Sequence, residues 1–139
     1  MRGHTIPILT AFTLRMSREP ERDHFITAPL HLAAGVILAL LIFPRNVAYA
    51  SIAVVAAGDP VAALVGTRFG RIHIKEKTVE GFLAGTVAST LIASLAVPLY
   101  LASIGAVAGM LLELSDVFED NLTVPIGAGL CMLIAQLRV

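Results

Sequence analysis

Charge is absent from several long stretches of this chain, and their spacing limits the folds open to it. Residues 25–44 contain no Asp, Glu, Lys or Arg, residues 46–67 contain only Asp59, residues 81–112 are thirty-two uncharged positions in a row, and residues 121–137 are again neutral. A bilayer crossing takes roughly 20 apolar residues in a helix, so residues 26–43 read as one membrane helix and a second begins near Val47. The run 81–112 is too long for one crossing at about 1.5 Å per residue, and Pro98 interrupts it, so it reads as a helical hairpin turning near residues 98–103. Residues 121–137 supply a last span, and the apolar residues 5–14 supply half of another. The expected fold is all-α: a polytopic transmembrane helix bundle, a single domain over residues 1–139 with about five membrane spans and an N-terminal half-helix.

Composition agrees with lipid as the solvent. Hydrophobic residues make up 57% of the chain and charged residues 14%, against about 45–50% and about 25% in soluble domains. Ten basic and ten acidic side chains leave no net charge, which excludes a phosphate-backbone binder and hence a nucleic-acid partner. The lone Cys131 can form no internal disulfide, and four scattered His (His4, His24, His31, His73) have no zinc-ligand spacing. Arg15, Arg18 and Arg22 fall where a signal-peptide cleavage site would lie, so no cleaved signal is expected.

Threading the spans in order puts the charged segments 15–23, 68–80 and 113–120 on one side. That side holds Arg15, Arg18, Arg22, Arg68, Arg71, Lys75 and Lys77, against Arg2, Arg45 and Arg138 opposite, so the positive-inside bias makes it cytoplasmic. Gly66/Gly70, Gly81/Gly85 and Gly105/Gly109 make small-xxx-small spacings of the kind that let membrane helices approach closely, within one bundle or between copies in a homo-oligomer. Gly105 and Gly109 read as packing; Gly58, Gly66 and Gly70 flank polar residues and remain candidates for contacting a phosphate.

Three groups of residues could do chemistry. Asp59 sits in AVVAAGDPVAALVG, and a carboxylate at membrane depth costs about 2.5–3.5 kcal/mol, so it usually faces a polar cavity or a functional partner. The alternative is that it caps a helix starting at Pro60, and both can hold, since a break at Gly58-Asp59-Pro60 would also expose backbone groups to a ligand; the functional role is the favoured reading. The loop GTRFGRIHIKEKTVEG carries Arg68, Arg71, His73, Lys75 and Lys77 and leads into a helix capped by Thr78. Several cations with free N–H groups at a helix start suit a polyphosphate; for Arg71 and Lys75, attraction to anionic lipid is as good a reading. Lys77 and Glu80 flank the cap and are favoured for the site, while His73 reads as an interfacial residue rather than a base. Third, Glu113, Asp116 and Asp120 fall at i, i+3 and i+7, one helical face able to hold Mg²⁺ together with substrate phosphates, with Glu119 a solvated turn residue. Asn121 opens the following apolar span. No GxxxxGK[ST] or GxGxxG loop is present.

The ordered combination GDPVAALVGTRFGRIHIKEKTVEGFLAG, a carboxylate-bearing turn and DNLTVPIGAGL resembles the CTP-dependent lipid kinases, the group of dolichol kinase, phytol kinase and the CTP-using diacylglycerol kinase. That group is similar in turn to the phosphatidate cytidylyltransferases. The resemblance runs over residues 15–130 and includes Arg15, Arg18 and Glu21 as an R-x-x-R-x-x-E-like stretch; family members usually carry further membrane helices before it. It implies transfer of the terminal phosphate of CTP to the hydroxyl of an isoprenoid or acylglycerol lipid at the cytosolic membrane surface. By motif position it implies that Asp59 with Glu113 or Asp120 handles the metal or activates the hydroxyl. Lys77, Arg68 and the Gly66–Gly70 loop would hold phosphates, and Glu80 and Asn121 would orient these groups. A cytidylyltransferase making a CDP-lipid and an inactive membrane scaffold are the competing expectations.

Overall fold

The computed structural model describes residues 22–115 and 120–138; of residues 22–28 and 120 it describes the backbone alone. The proposed half-helix at 5–14, together with Arg15, Arg18, Glu21, Asp116 and Glu119, lies outside the described residues. Five helices follow one another: α1 (Arg22–Ile42), α2 (Arg45–Phe69), α3 (Val79–Ala93), α4 (Leu99–Ser115) and α5 (Asp120–Gln136). Between α2 and α3 the chain forms a small antiparallel hairpin, β1 (His73–Ile74) and β2 (Lys77–Thr78), with His73 opposite Thr78.

Local chemistry accounts for several element ends. Pro44, extended at φ −53° and ψ 145°, precedes α2, and the N–H of Gly70 closes its last turn on the Gly66 carbonyl at 3.0 Å. Thr78 caps α3 as expected: its hydroxyl accepts from the backbone N–H of Gly81 at 3.1 Å. Replacing Thr78 by Ala should lower stability by about 1 kcal/mol, while Ser at this position should hold most of it. Detergent-titrated helicity would read the difference.

Three expectations need correction. The helix containing Asp59 does not break at Gly58-Asp59-Pro60; α2 continues through all three, so Asp59 is mid-helix and caps nothing. Tertiary packing outweighs the local breakers here. Buried Gly58 lies against the Ser89 hydroxyl of α3 and the Met110 sulfur of α4, and that hydroxyl donates to the Val54 carbonyl at 3.0 Å, fastening α3 to α2 one turn before the triplet. Second, the turn of the long neutral run lies at residues 94–98, earlier than 98–103. Pro98 starts a helix rather than ending one, because a residue without an N–H is tolerated at a helix beginning; its carbonyl accepts the first bond of α4 from Ala102 at 3.0 Å. Third, Glu113 and Asp120 are on two different helices, α4 and α5, so the carboxylates do not form one continuous helical stripe.

The core is built mostly of small residues, among them Ala39, Ala48, Ala93, Ala102, Ala106 and Ala128. Glycines set the closest helix approaches. A Cβ at Gly85 would come within 2.8 Å of the Gly58 carbonyl, and one at Gly81 within 2.6 Å of the Ala62 carbonyl, so α2 and α3 touch backbone to backbone. Gly105 and Gly109 pack on Met132 and on Val54 and Val124, as expected of packing residues. The small-residue spacings are thus used within the chain. Outward faces are apolar, carrying Leu41, Leu64, Leu83, Val87 and Leu91. Among the described residues α2 is the one helix long and apolar enough to cross a membrane by length and composition; the other apolar helical stretches are Pro29–Ile42, Val79–Ala93, Leu99–Ser115 and Asn121–Gln136.

Candidate functional site

The short turns at 43–44 and 94–98 share one end of the bundle and the hairpin occupies the other, so most polar groups gather at the hairpin end. There a cavity of about 280 Å³ opens between four elements. Asp59, Ala62, Ala63, Gly66 and Thr67 line it from α2, at the i, i+3, i+4, i+7, i+8 spacing of one helical face. The hairpin contributes His73, Glu76 and Lys77, the start of α3 contributes Thr78, Gly81 and Phe82, and α4 contributes Met110, Glu113 and Leu114. Asp59 is exposed on this wall, whereas Glu113 is buried.

Lys77 joins two walls. Its Nζ donates to the main-chain carbonyl of Glu113 and stands 3.6 Å from the Glu113 carboxylate. Lys75 reaches the same helix end, donating to the Ser115 carbonyl at 3.0 Å. Two ammonium groups therefore sit at the negative end of α4, where carbonyls lack helical partners. Lys75 takes a positive φ of 55° at the hairpin tip, a conformation uncommon for a side-chain-bearing residue; its bond to Ser115 ties this tip to α4.

The structure divides the residues singled out from the sequence. Asp59, Gly66, Lys77 and Glu113 line the cavity together. Arg68, Gly70 and Glu80 line a separate open cleft with Phe69 and Arg71. Gly58 is at the buried crossing of α2 with α3 and α4, and the Asn121 carbonyl faces Gly35 of α1, where a Cβ would come within 2.5 Å. Asp116 and the side chain of Asp120 lie outside the described residues. His73 and Glu76 also line the cavity, which sequence reasoning did not assign; the alternation R-I-H-I-K was the available signal, since a period of two marks a strand and turns His73 away from its isoleucine neighbours.

Glu80 has a local task. Its carboxylate lies below the usual glutamate range, held there first by its own backbone N–H, then by those of Arg71 and Ile72 and by the Arg71 charge, against a partial opposing effect of desolvation. The Ile72 N–H reaches its two oxygens at 3.4 and 3.3 Å. Because the folded form releases its proton more readily, the unfolded chain binds more protons at acid pH. Glu80 therefore contributes stability above the ordinary glutamate range, and that contribution falls away as pH drops through the lowered folded value. Thermal unfolding of Glu80→Gln should show a shallower decline below about pH 5 than the parent chain.

No protein-family model matches the chain, and no solved structure matches it. A curated protein does: "Probable phytol kinase, chloroplastic" of Triticum aestivum is 25% identical over a 150-residue alignment that covers 91% of this chain. The alignment takes in 49% of the wheat protein, so the chain spans about half the length of that relative. The similarity supports a distant relationship to a lipid kinase.

Proposed function

We propose that this chain is a multi-span membrane lipid kinase domain that transfers the terminal phosphate of CTP to the hydroxyl of a polyprenol, phytol-like or diacylglycerol-like lipid at the cytoplasmic face. One observation carries the reading: an ammonium, Lys77, and the carboxylates Asp59 and Glu113 meet in one cavity at the polar end of a bundle whose outer faces are apolar. Phosphoryl transfer asks a protein for positioning and charge compensation more than for covalent chemistry. The acceptor class follows the similarity to a phytol kinase. The multi-span reading is supported by outward leucines on α1, α2 and α3 and by small residues at the helix crossings.

In this reading Lys77 draws the terminal phosphate into the cavity, beside the Gly66 wall. The lipid hydroxyl oxygen attacks the terminal phosphorus; the new P–O bond forms as the bond to the bridging oxygen breaks, and CDP leaves. Asp59, accessible on the cavity wall, accepts the hydroxyl proton. Among the described residues no three His, Cys, Asp or Glu side chains converge into a protein-only metal cage. Mg²⁺ asks for less, one or two carboxylates with phosphate oxygens and water; Glu113 would supply one such carboxylate, with Asp59 kept for the proton. When bound there it would spread the phosphate charge.

The test is label transfer in vesicles holding the chain, with phytol, a polyprenol or diacylglycerol as acceptor. Label from the terminal phosphate of CTP should enter the lipid, and label from the α-phosphate should not. Entry of the α label would replace kinase by cytidylyl transfer, and transfer of neither label to any of the three lipids would favour a scaffold.

A further inference from the structure

The open cleft lined by Arg68, Phe69, Gly70, Arg71 and Glu80 is separate from the cavity and has no part in the transfer step proposed there, although the family resemblance implies phosphate-holding or orienting roles for Arg68, Gly70 and Glu80. It lies where α2, the helix of spanning length, gives way to the hairpin. Two guanidinium-bearing residues line it, both exposed. The Glu80 carboxylate beside them accepts the Ile72 N–H on both oxygens and also meets the Arg71 charge, so the two guanidiniums leave the cleft with one net positive charge. The nearby lysines are engaged with the end of α4. Arg68 and Arg71 thus form a cationic pair separate from the lysines of the cavity.

Apolar side chains accompany this pair. Phe69 and Ile72 are 63% and 60% exposed, and the Arg68 guanidinium stands 6.0 Å from the Phe69 ring centre. A free anion gains nothing from the exposed Phe69 in the lining or the exposed Ile72 that follows Arg71 in the chain, whereas a phosphate carried on acyl chains brings a partner for both. Guanidinium groups suit phosphate oxygens in particular because their planar donors can bind two oxygens at once. We propose that this cleft docks the headgroup phosphate of an anionic phospholipid from the surrounding leaflet, with Arg68 and Arg71 on its oxygens and Phe69 and Ile72 against its acyl chains. The inference rests on the membrane reading and is independent of the kinase reading.

The test uses the full chain in detergent, with lipid retention followed by native mass spectrometry after adding phosphatidylglycerol or phosphatidylcholine. Phosphatidylglycerol should be retained in preference. Arg68→Gln and Arg71→Gln should each weaken its binding about fivefold, and the two together about thirtyfold, the scale expected for one basic residue at a lipid surface. Arg45→Gln, which removes the same charge from the opposite end of α2, should leave it unchanged. Equal retention of phosphatidylcholine, equal weakening by Arg45→Gln, or full displacement of the lipid by inorganic phosphate would each overturn the proposal. None of these readouts depends on phosphate transfer, so loss of the kinase reading leaves the result interpretable.

Discussion

Replacing Lys77 by Met should reduce phosphate transfer by about 10²–10³-fold, the scale seen when one preorganised donor to a developing oxyanion is removed. The same change should also destabilise the fold, because Lys77 compensates a carboxylate that is only 7% exposed. Breaking a fully buried pair costs about 3–5 kcal/mol. The lysine side chain is 27% exposed and the pair is open to water on one side, so about 2 kcal/mol is the better expectation. The two effects separate in a double variant. Lys77→Met with Glu113→Gln removes both charges and should recover stability to within about 1 kcal/mol of the parent, while transfer stays low. Recovery of transfer alongside stability would reduce Lys77 to a clasp between the hairpin and α4. Label transfer and detergent-titrated helicity, measured on the same four proteins, give the complete cycle.

The second large effect is expected from Gly81→Ala. A Cβ there would come within 2.6 Å of the Ala62 carbonyl, 2.9 Å of the Thr78 hydroxyl and 3.3 Å of the Gly66 Cα. Backbone in the middle of a packed helix has no side-chain rotation with which to yield, so α2 and α3 must separate. A loss of about 3 kcal/mol is expected, at the upper end for overpacking a core. Transfer should fall as well, since Gly81, Thr78 and Gly66 all line the cavity. Gly127→Ala supplies the contrast. Its Cβ would meet Leu112 at the terminal Cδ1, 2.1 Å away, with the next atom at 3.6 Å, and Leu112 is exposed enough to rotate aside. That change should cost under about 1 kcal/mol. Equal losses at the two positions would mean that backbone contact between α2 and α3 does not organise the site.

The order and approximate ends of the helices were legible in the residues alone. Charge-free runs, the cap at Thr78 and the pause around Pro98 are short-range signals, and each governs conformation within a few residues of itself. The residue types of the cavity were legible too, since Asp59 and Lys77 stand out against an apolar background. Sequence spacing did not reveal that Arg68 turns to a different cleft from Gly66, two residues before it, or that His73 lines the same cavity as Asp59. Nor did it reveal that α2 would run unbroken through Gly58, Asp59 and Pro60. Those outcomes depend on how each helix is rotated about its axis and how closely it meets its neighbours, which here is set by contacts between residues far apart in the chain: Gly58 with Gly85, Gly81 with Ala62, Lys77 with Glu113. Local propensity determines that a helix forms; only the packed bundle determines which of its side chains share a cavity.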